Sequence, residues 1–153
     1  MFVSDGLGVN ESGHLTVGGC DTVSIEKKYG TPYMCYDENM IRKNCREFVK
    51  SMEENYDGNG LVCYASKAFS CLEMCRICKE EKMGLDVVSG GEIFTAVKAG
   101  FPSERICFHG NNKTNDELTM ALDNNVGRIV VDNVEELKRL STLASKTGKV
   151  AKI

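Results

Sequence analysis

From residue 61 onward the chain alternates short apolar runs with longer stretches whose apolar positions recur every three or four residues. The runs are LVCYAS at 61–66, LDVVS at 85–89, RICFHG at 105–110, RIVVD at 128–132 and VAKI at 150–153. They are short, rich in β-branched residues and bounded by turn residues, which predicts strands. The stretches between them carry helix-start signals. Ser89 with Glu92, Thr114 with Glu117 and Asn133 with Glu136 have the spacing at which a cap side chain and a carboxylate three residues on satisfy free backbone N–H groups. Gly60, Gly84, Gly127 and Gly148 sit just ahead of strands, where a helix end favours a left-handed glycine.

Upstream, residues 14–17 predict a strand, 21–29 a helix, and TPYMCYD at 31–37 another strand leading into a helix after Asp37. That helix has an apolar stripe of Ile41, Cys45, Phe48, Val49 and Met52, with Arg42, Lys43, Glu47 and Lys50 turned to water. The repeating unit is βα. Such units in series build either a doubly wound sheet or part of an eight-stranded barrel, and periodicity alone does not choose. The last run starts after Gly148 and stops within four residues, so the chain is expected to be a fragment of a larger α/β domain.

Composition narrows the classes. At 153 residues and 42% hydrophobic the chain can bury a core. Its formal charge of −3 is scattered, with no basic stripe for nucleic acid and no cationic face for a membrane. No apolar run nears the ~20 residues that span a bilayer, and residues 1–10 lack a positive segment followed by a hydrophobic one. A cytoplasmic protein is expected, with its eight cysteines reduced and mostly acting as small buried side chains.

Lys67 directly follows the run LVCYAS. The carboxyl end of a parallel barrel strand is where such barrels place their chemistry. By alternation Leu61, Cys63, Ala65 and Lys67 share one face and Val62 and Tyr64 the other, so small residues would leave room beside the lysine. A desolvated amine can lose its proton and condense with an aldehyde, the way lysine holds pyridoxal phosphate; the plainer alternative is a charged surface lysine.

A resemblance carries this further. YASKAF at 64–69, GLDVVSGGEIFTAVKAGF at 84–101, ICFHGNNKTNDEL at 106–118 and YGTPYMCYDENMIR at 29–42 resemble, in order and spacing, the amino-terminal barrel segments of the diaminopimelate decarboxylases. The resemblance implies a partial (β/α)8 barrel of the alanine-racemase-like type, cut after about five βα units. Residues 1–30 would be a segment that associates with a β domain, and residues 31–153 a partial barrel that binds pyridoxal 5'-phosphate. The rest of the barrel and the carboxyl-terminal β domain would lie beyond Ile153.

It also implies that Lys67 holds the cofactor and that Asp86 sits beside it, although Asp86 reads equally as an ordinary strand residue. His109 and Asn111, after the third run, are candidates for the pocket mouth or are simply structural. Glu92 is explained by capping alone. The implied reaction is decarboxylation of meso-diaminopimelate to L-lysine by a homodimer when full length, with little activity in this chain alone and no metal. The glycine-rich phosphate turn, the histidine stacked on the ring, the acid paired to the pyridine nitrogen and the cysteine donated across the dimer would all lie beyond Ile153. Lys152 stands where the family usually has arginine.

Three alternatives compete. Ornithine, arginine or carboxynorspermidine decarboxylases share the lysine segment. Cys71, Cys75 and Cys78 match the Cys-x3-Cys-x2-Cys spacing of radical S-adenosylmethionine enzymes, but positions 71, 74, 75 and 78 also form one helix face, the spacing of core residues. A non-catalytic pyridoxal-phosphate binder is the third.

Overall fold

A computed structural model describes residues 4–153; residues 1–3, the start of the expected 1–30 segment, lie outside it. The chain forms two compact units, Met1–Glu47 and Phe48–Ile153, and the division falls inside one long helix.

The first unit is a small antiparallel sheet with a helix. Strands β1 (Leu7–Val9), β2 (Leu15–Val17) and β3 (Cys20–Asp21) pair in that order. The turn between the first two is held by Asn10, whose Oδ1 accepts from the amides of Ser12 and His14 at 3.0 and 2.9 Å. Helix α1 (Thr22–Tyr29) starts at Asp21, which caps Val23 N and meets His14 Nδ1 at 3.0 Å. The strand and helix read from 14–29 are therefore present, but the strand belongs to a hairpin and not to a parallel βα unit.

No strand forms at 31–37, contrary to the sequence reading. Residues 31–36 are exposed, and no strand among the described residues pairs with this segment, so its apolar pattern has no ladder to join. Helix α2 (Glu38–Tyr56) follows, started by Asp37, which accepts from Asn39 N at 2.9 Å. Its stripe is only partly used. Cys45 is buried and Ile41, Val49 and Met52 are half-buried, but Phe48 is exposed.

The second unit is four successive βα pairs: β4 (Cys63–Ala65) and α3 (Leu72–Glu80), β5 (Gly84–Val87) and α4 (Gly90–Lys98), β6 (Ile106–Phe108) and α5 (Asn115–Asp123), β7 (Arg128–Ile129) and α6 (Val134–Thr147). The strands form a parallel sheet in chain order. Leu85, Val87, Ile106, Phe108 and Ile129 point to one face and are buried, packed with Ile93, Ala96, Leu118, Ala121, Leu122 and Leu140 from the helices. The opposite face carries Cys63, Ala65, Asp86, Cys107 and Arg128, none of them fully buried. A doubly wound sheet carries helices on both faces, whereas helices on one face only are the arrangement found in a barrel wall. The α/β class and the parallel sheet stand as read, while the count falls to four strands each followed by a helix. At 150–153 no strand is assigned, but Ile129 N donates to Lys152 O at 2.8 Å, placing this segment beside β7.

Helices α4, α5 and α6 begin at Ser89, Thr114 and Asn133, each cap accepting from the amide of the glutamate three residues on. The glycine reading needs correction. Only Gly148 is a left-handed helix end (φ 66) among the four expected; at the other three joins that conformation falls on Asp57 and Gly58, on Lys82 and on Asn125. Gly84 and Gly127 are required for a different reason. A Cβ on Gly127 would lie 2.0 Å from Glu104 O, and one on Gly84 would lie 2.7 Å from Cys63 Sγ and 2.8 Å from Arg105 O. These glycines let neighbouring chain segments approach.

Candidate cofactor site

Register fixes the open face of the sheet. Ala65 pairs with Asp86, Asp86 with Cys107 and Cys107 with Arg128. In a parallel sheet paired residues project to the same side, so one row across four strands reads Ala, Asp, Cys, Arg. Cys63 lies two residues before Ala65 on the same face, with its sulfur over Gly84. The electrostatics agree: burial pushes the Cys63 thiol up to about 11, with Cys107 and Asp86 adding to the rise. Cys107 is raised by burial and by Asp86, and Arg128 pulls it back. Asp86 therefore projects from the open face, which settles the register ambiguity of the sequence.

Lys67 is the middle residue of a single 3-10 turn, Ser66–Ala68, that continues β4. Strand alternation no longer governs its direction there. It is exposed, and no hydrogen bond or ion pair to another described residue holds its amine. The desolvated surroundings expected for it are not made by this stretch of chain. Ser66 beside it is buried, and its Oγ has no partner among the described residues.

His109 and Asn111 follow β6 and are exposed. His109 N extends the ladder to Val87 O at 2.8 Å, and Gly110, at φ 115, turns the chain away from the strand. Glu92 is the cap expected of it: Oε2 accepts from Val88 N and Ser89 Oγ at 3.0 and 2.8 Å, while Oε1 is buried without a partner. Asp86 thus projects from the open face, Lys67 lies in the turn directly after β4, His109 directly follows β6, and Asn111 lies beyond the turn at Gly110.

Three features escaped the sequence reading. Lys113 and Glu136 form a buried ion pair at 2.8 Å, their side chains 1% and 0% exposed. Glu117 Oε1 accepts from Gly90 N at 2.9 Å, joining α5 to the start of α4; its carboxyl is lowered below the usual range by the Thr114 and Gly90 amides. Arg128 completes the charged row. Only Arg128 had a signal, the alternation within RIVVD, because the other two contacts join residues 23 and 27 apart in sequence.

The cysteines on α3 are structural. Cys71 Sγ caps Met74 N at 3.4 Å, and Cys75 and Cys78 are buried with Met74 and Ile77. All eight cysteines are free thiols, two of them, Cys20 and Cys35, exposed. Among the described residues no helix is long and apolar enough to cross a membrane.

Comparison with known proteins bears on this arrangement. Residues 38–153 match the model of the pyridoxal-dependent decarboxylase family, pyridoxal binding domain. The chain is 49% identical to diaminopimelate decarboxylase of Bacillus subtilis over 97% of its own length and 34% of that protein's. It superposes on the M. jannaschii diaminopimelate decarboxylase solved with L-lysine, with TM-score 0.87, 32% identity, and coverage of 99% of this chain and 35% of that one. The lysine/ornithine decarboxylase of Vibrio vulnificus shares the fold at TM-score 0.70 and 20% identity, covering 81% of this chain and 33% of that one. The chain spans about a third of the length of the relatives it matches. With a family match over residues 38–153, which include all four βα pairs, the chain belongs to the pyridoxal-dependent decarboxylases.

Proposed function

We propose that this chain is part of a decarboxylase that uses pyridoxal 5'-phosphate to convert meso-diaminopimelate to L-lysine, with Lys67 as the residue that carries the cofactor. The observation that supports it most is the family match over residues 38–153, in which Lys67 lies in the turn directly after β4 and Asp86 pairs with Ala65 in the neighbouring strand. The residues present suit the group: an amine at the end of β4, small Cys63 and Ala65 on the strand that leads to it, and an acid, Asp86, paired with Ala65 in the neighbouring strand.

When bound, pyridoxal phosphate supplies an electron sink for the charge left on the α-carbon as carbon dioxide departs. Lys67 Nζ, once deprotonated, is the nucleophile that holds it. Asp86 fixes a negative charge on the same face and orients a cationic nitrogen near the lysine. His109 and Asn111 line the mouth at the end of β6. Completing the eight-stranded barrel encloses Lys67 and removes it from water, which lowers the cost of an uncharged amine.

The remaining parts of the reading are a homodimer when full length, a cytoplasmic location, and association of residues 1–30 with a β domain, residues 31–153 being the barrel portion. Diaminopimelate is favoured over ornithine as substrate because the relatives at 49% identity are diaminopimelate decarboxylases. Borohydride reduction of the chain incubated with pyridoxal phosphate, followed by peptide mapping, tests the site. A pyridoxyl label concentrated on Lys67 is expected; a label spread evenly over surface lysines would overturn the assignment.

A further inference from the structure

We infer that Lys113 and Glu136 are positioning residues that set the segment 109–112, the one carrying His109 and Asn111, at the carboxyl end of the sheet. The inference deepens the proposed function, since it gives that segment's geometry a cause.

Lys113 lies in the loop between β6 and α5, yet its side chain is buried with nothing left unsatisfied. Its Nζ donates to Glu136 Oε1 at 2.8 Å, to Val130 O at 2.9 Å, and to Gly110 O at close range. An ammonium has three protons, and here each has an acceptor. The ring of Phe108, at the end of β6, lies 5.6 Å away. One atom therefore ties together the turn after β6, the chain after β7 and the first turn of α6.

The acid is oriented through Oε1, while its Oε2 is buried with no hydrogen-bond partner among the described residues. Glu136 N donates to Asn133 Oδ1 at 2.9 Å and Oε1 accepts from Asp132 N at 3.4 Å, so the helix cap that orients it is the same device that starts α6. Arg139, one turn on, donates to Lys113 O at 3.1 Å and to Asn115 Oδ1 at 3.3 Å. The loop is thus held from α6 at both the side chain and the backbone of Lys113.

Stability alone does not call for this arrangement. Burying two charges costs solvation that apolar residues of like size avoid, so a buried pair is weak as a stabiliser but strong as a geometric constraint. Gly110 O, the atom that Lys113 grips, follows His109 directly and precedes Asn111. The constraint acts where the two candidate mouth residues leave the strand.

The test uses the whole chain. Lys113→Met/Glu136→Met removes both charges while keeping side-chain bulk, so the core should stay folded, as judged by far-ultraviolet circular dichroism. Amide exchange is then read at His109 and Val130, bonded to Val87 O and Phe108 O, against Gly84, bonded to Val62 O as a distant control. Acceleration on the order of tenfold at the first two, with none at Gly84, is expected for a lost local tether. Equal exchange at all three in a folded variant would overturn the inference, as would a uniform rise at every amide.

Glu136→Gln, which keeps the shape and an acceptor oxygen, carries the same readout if the double variant does not fold. A parallel titration with pyridoxal phosphate, followed by absorbance, should show weaker binding in the variant at unchanged helix content. If the unaltered chain takes up no cofactor, the proposed function fails while the exchange comparison still decides this inference.

Discussion

Cys63 shows how one inward residue reports on its row. Its thiol is raised to about 11 chiefly by burial, with Cys107 and Asp86 contributing. A raised folded-state value means the neutral thiol is favoured: its contribution to stability is complete below the ordinary cysteine value near 8.5 and fades as pH climbs toward about 11. Replacing Asp86 with Asn removes one source of the rise. Alkylation of Cys63 by iodoacetamide at about pH 9 should then quicken a few-fold, while exposed Cys20 and Cys35 react as before. An unchanged Cys63 rate would mean that the Asp86 carboxylate does not face the thiol.

Among the elements, strand ends are set by close approach more than by caps. Gly127→Ala would force a Cβ against the Glu104 carbonyl, a backbone neighbour that cannot rotate away. The expected cost is about 3 kcal/mol, or a Tm lower by roughly 6–12 °C for a chain of this size. Gly91→Ala is the internal comparison. Its nearest obstacle is Ser89 Oγ at 3.9 Å, and in the first turn of α4 the change should add up to ~1 kcal/mol through helix propensity. Thermal melts of the two variants should move in opposite directions, and a shared sign would refute the steric account.

The elements also show what was legible. The three capping glutamates were readable because a cap acts within four residues, and the parallel strands because their runs are short and bounded. Residues 31–37 misled because an apolar run specifies a strand only when a neighbour offers backbone partners. Gly84 and Gly127 were flagged at the right positions for the wrong reason, since crowding by Arg105 and Glu104 arises only once distant segments meet. Lys67 was legible as a position after a strand but not as part of a 3-10 turn. The Lys113–Glu136 pair was invisible, because nothing local links a loop lysine to an acid in the next helix.

For the molecule as a whole, acid is the sharpest probe, since each unit holds a carboxyl below its ordinary range. In the first unit Asp21 is lowered to about 2, chiefly by its hydrogen bond with His14. In the second, Glu117 is lowered by the amides of Thr114 and Gly90. A depressed folded-state value contributes stability that is present above the unfolded value near 4 and is lost as pH falls through the folded one. Urea midpoints should therefore hold from pH 7 to about 5 and drop between about 4 and 2. In His14→Ala, Asp21 should titrate nearer the ordinary value when followed by carboxyl-carbon NMR; no displacement would remove the hydrogen bond as its cause.

Two of the carboxylates that join neighbouring βα pairs reach back along the chain. Glu117 of α5 takes the amide of Gly90 at the head of α4, and Glu136 of α6 takes the ammonium of Lys113 ahead of α5. Asp123 at the end of α5 instead takes the ammonium of Lys149, beyond α6. A nascent chain leaving the ribosome can therefore close the first two joints as soon as Glu117 and Glu136 emerge, whereas the third waits for Lys149.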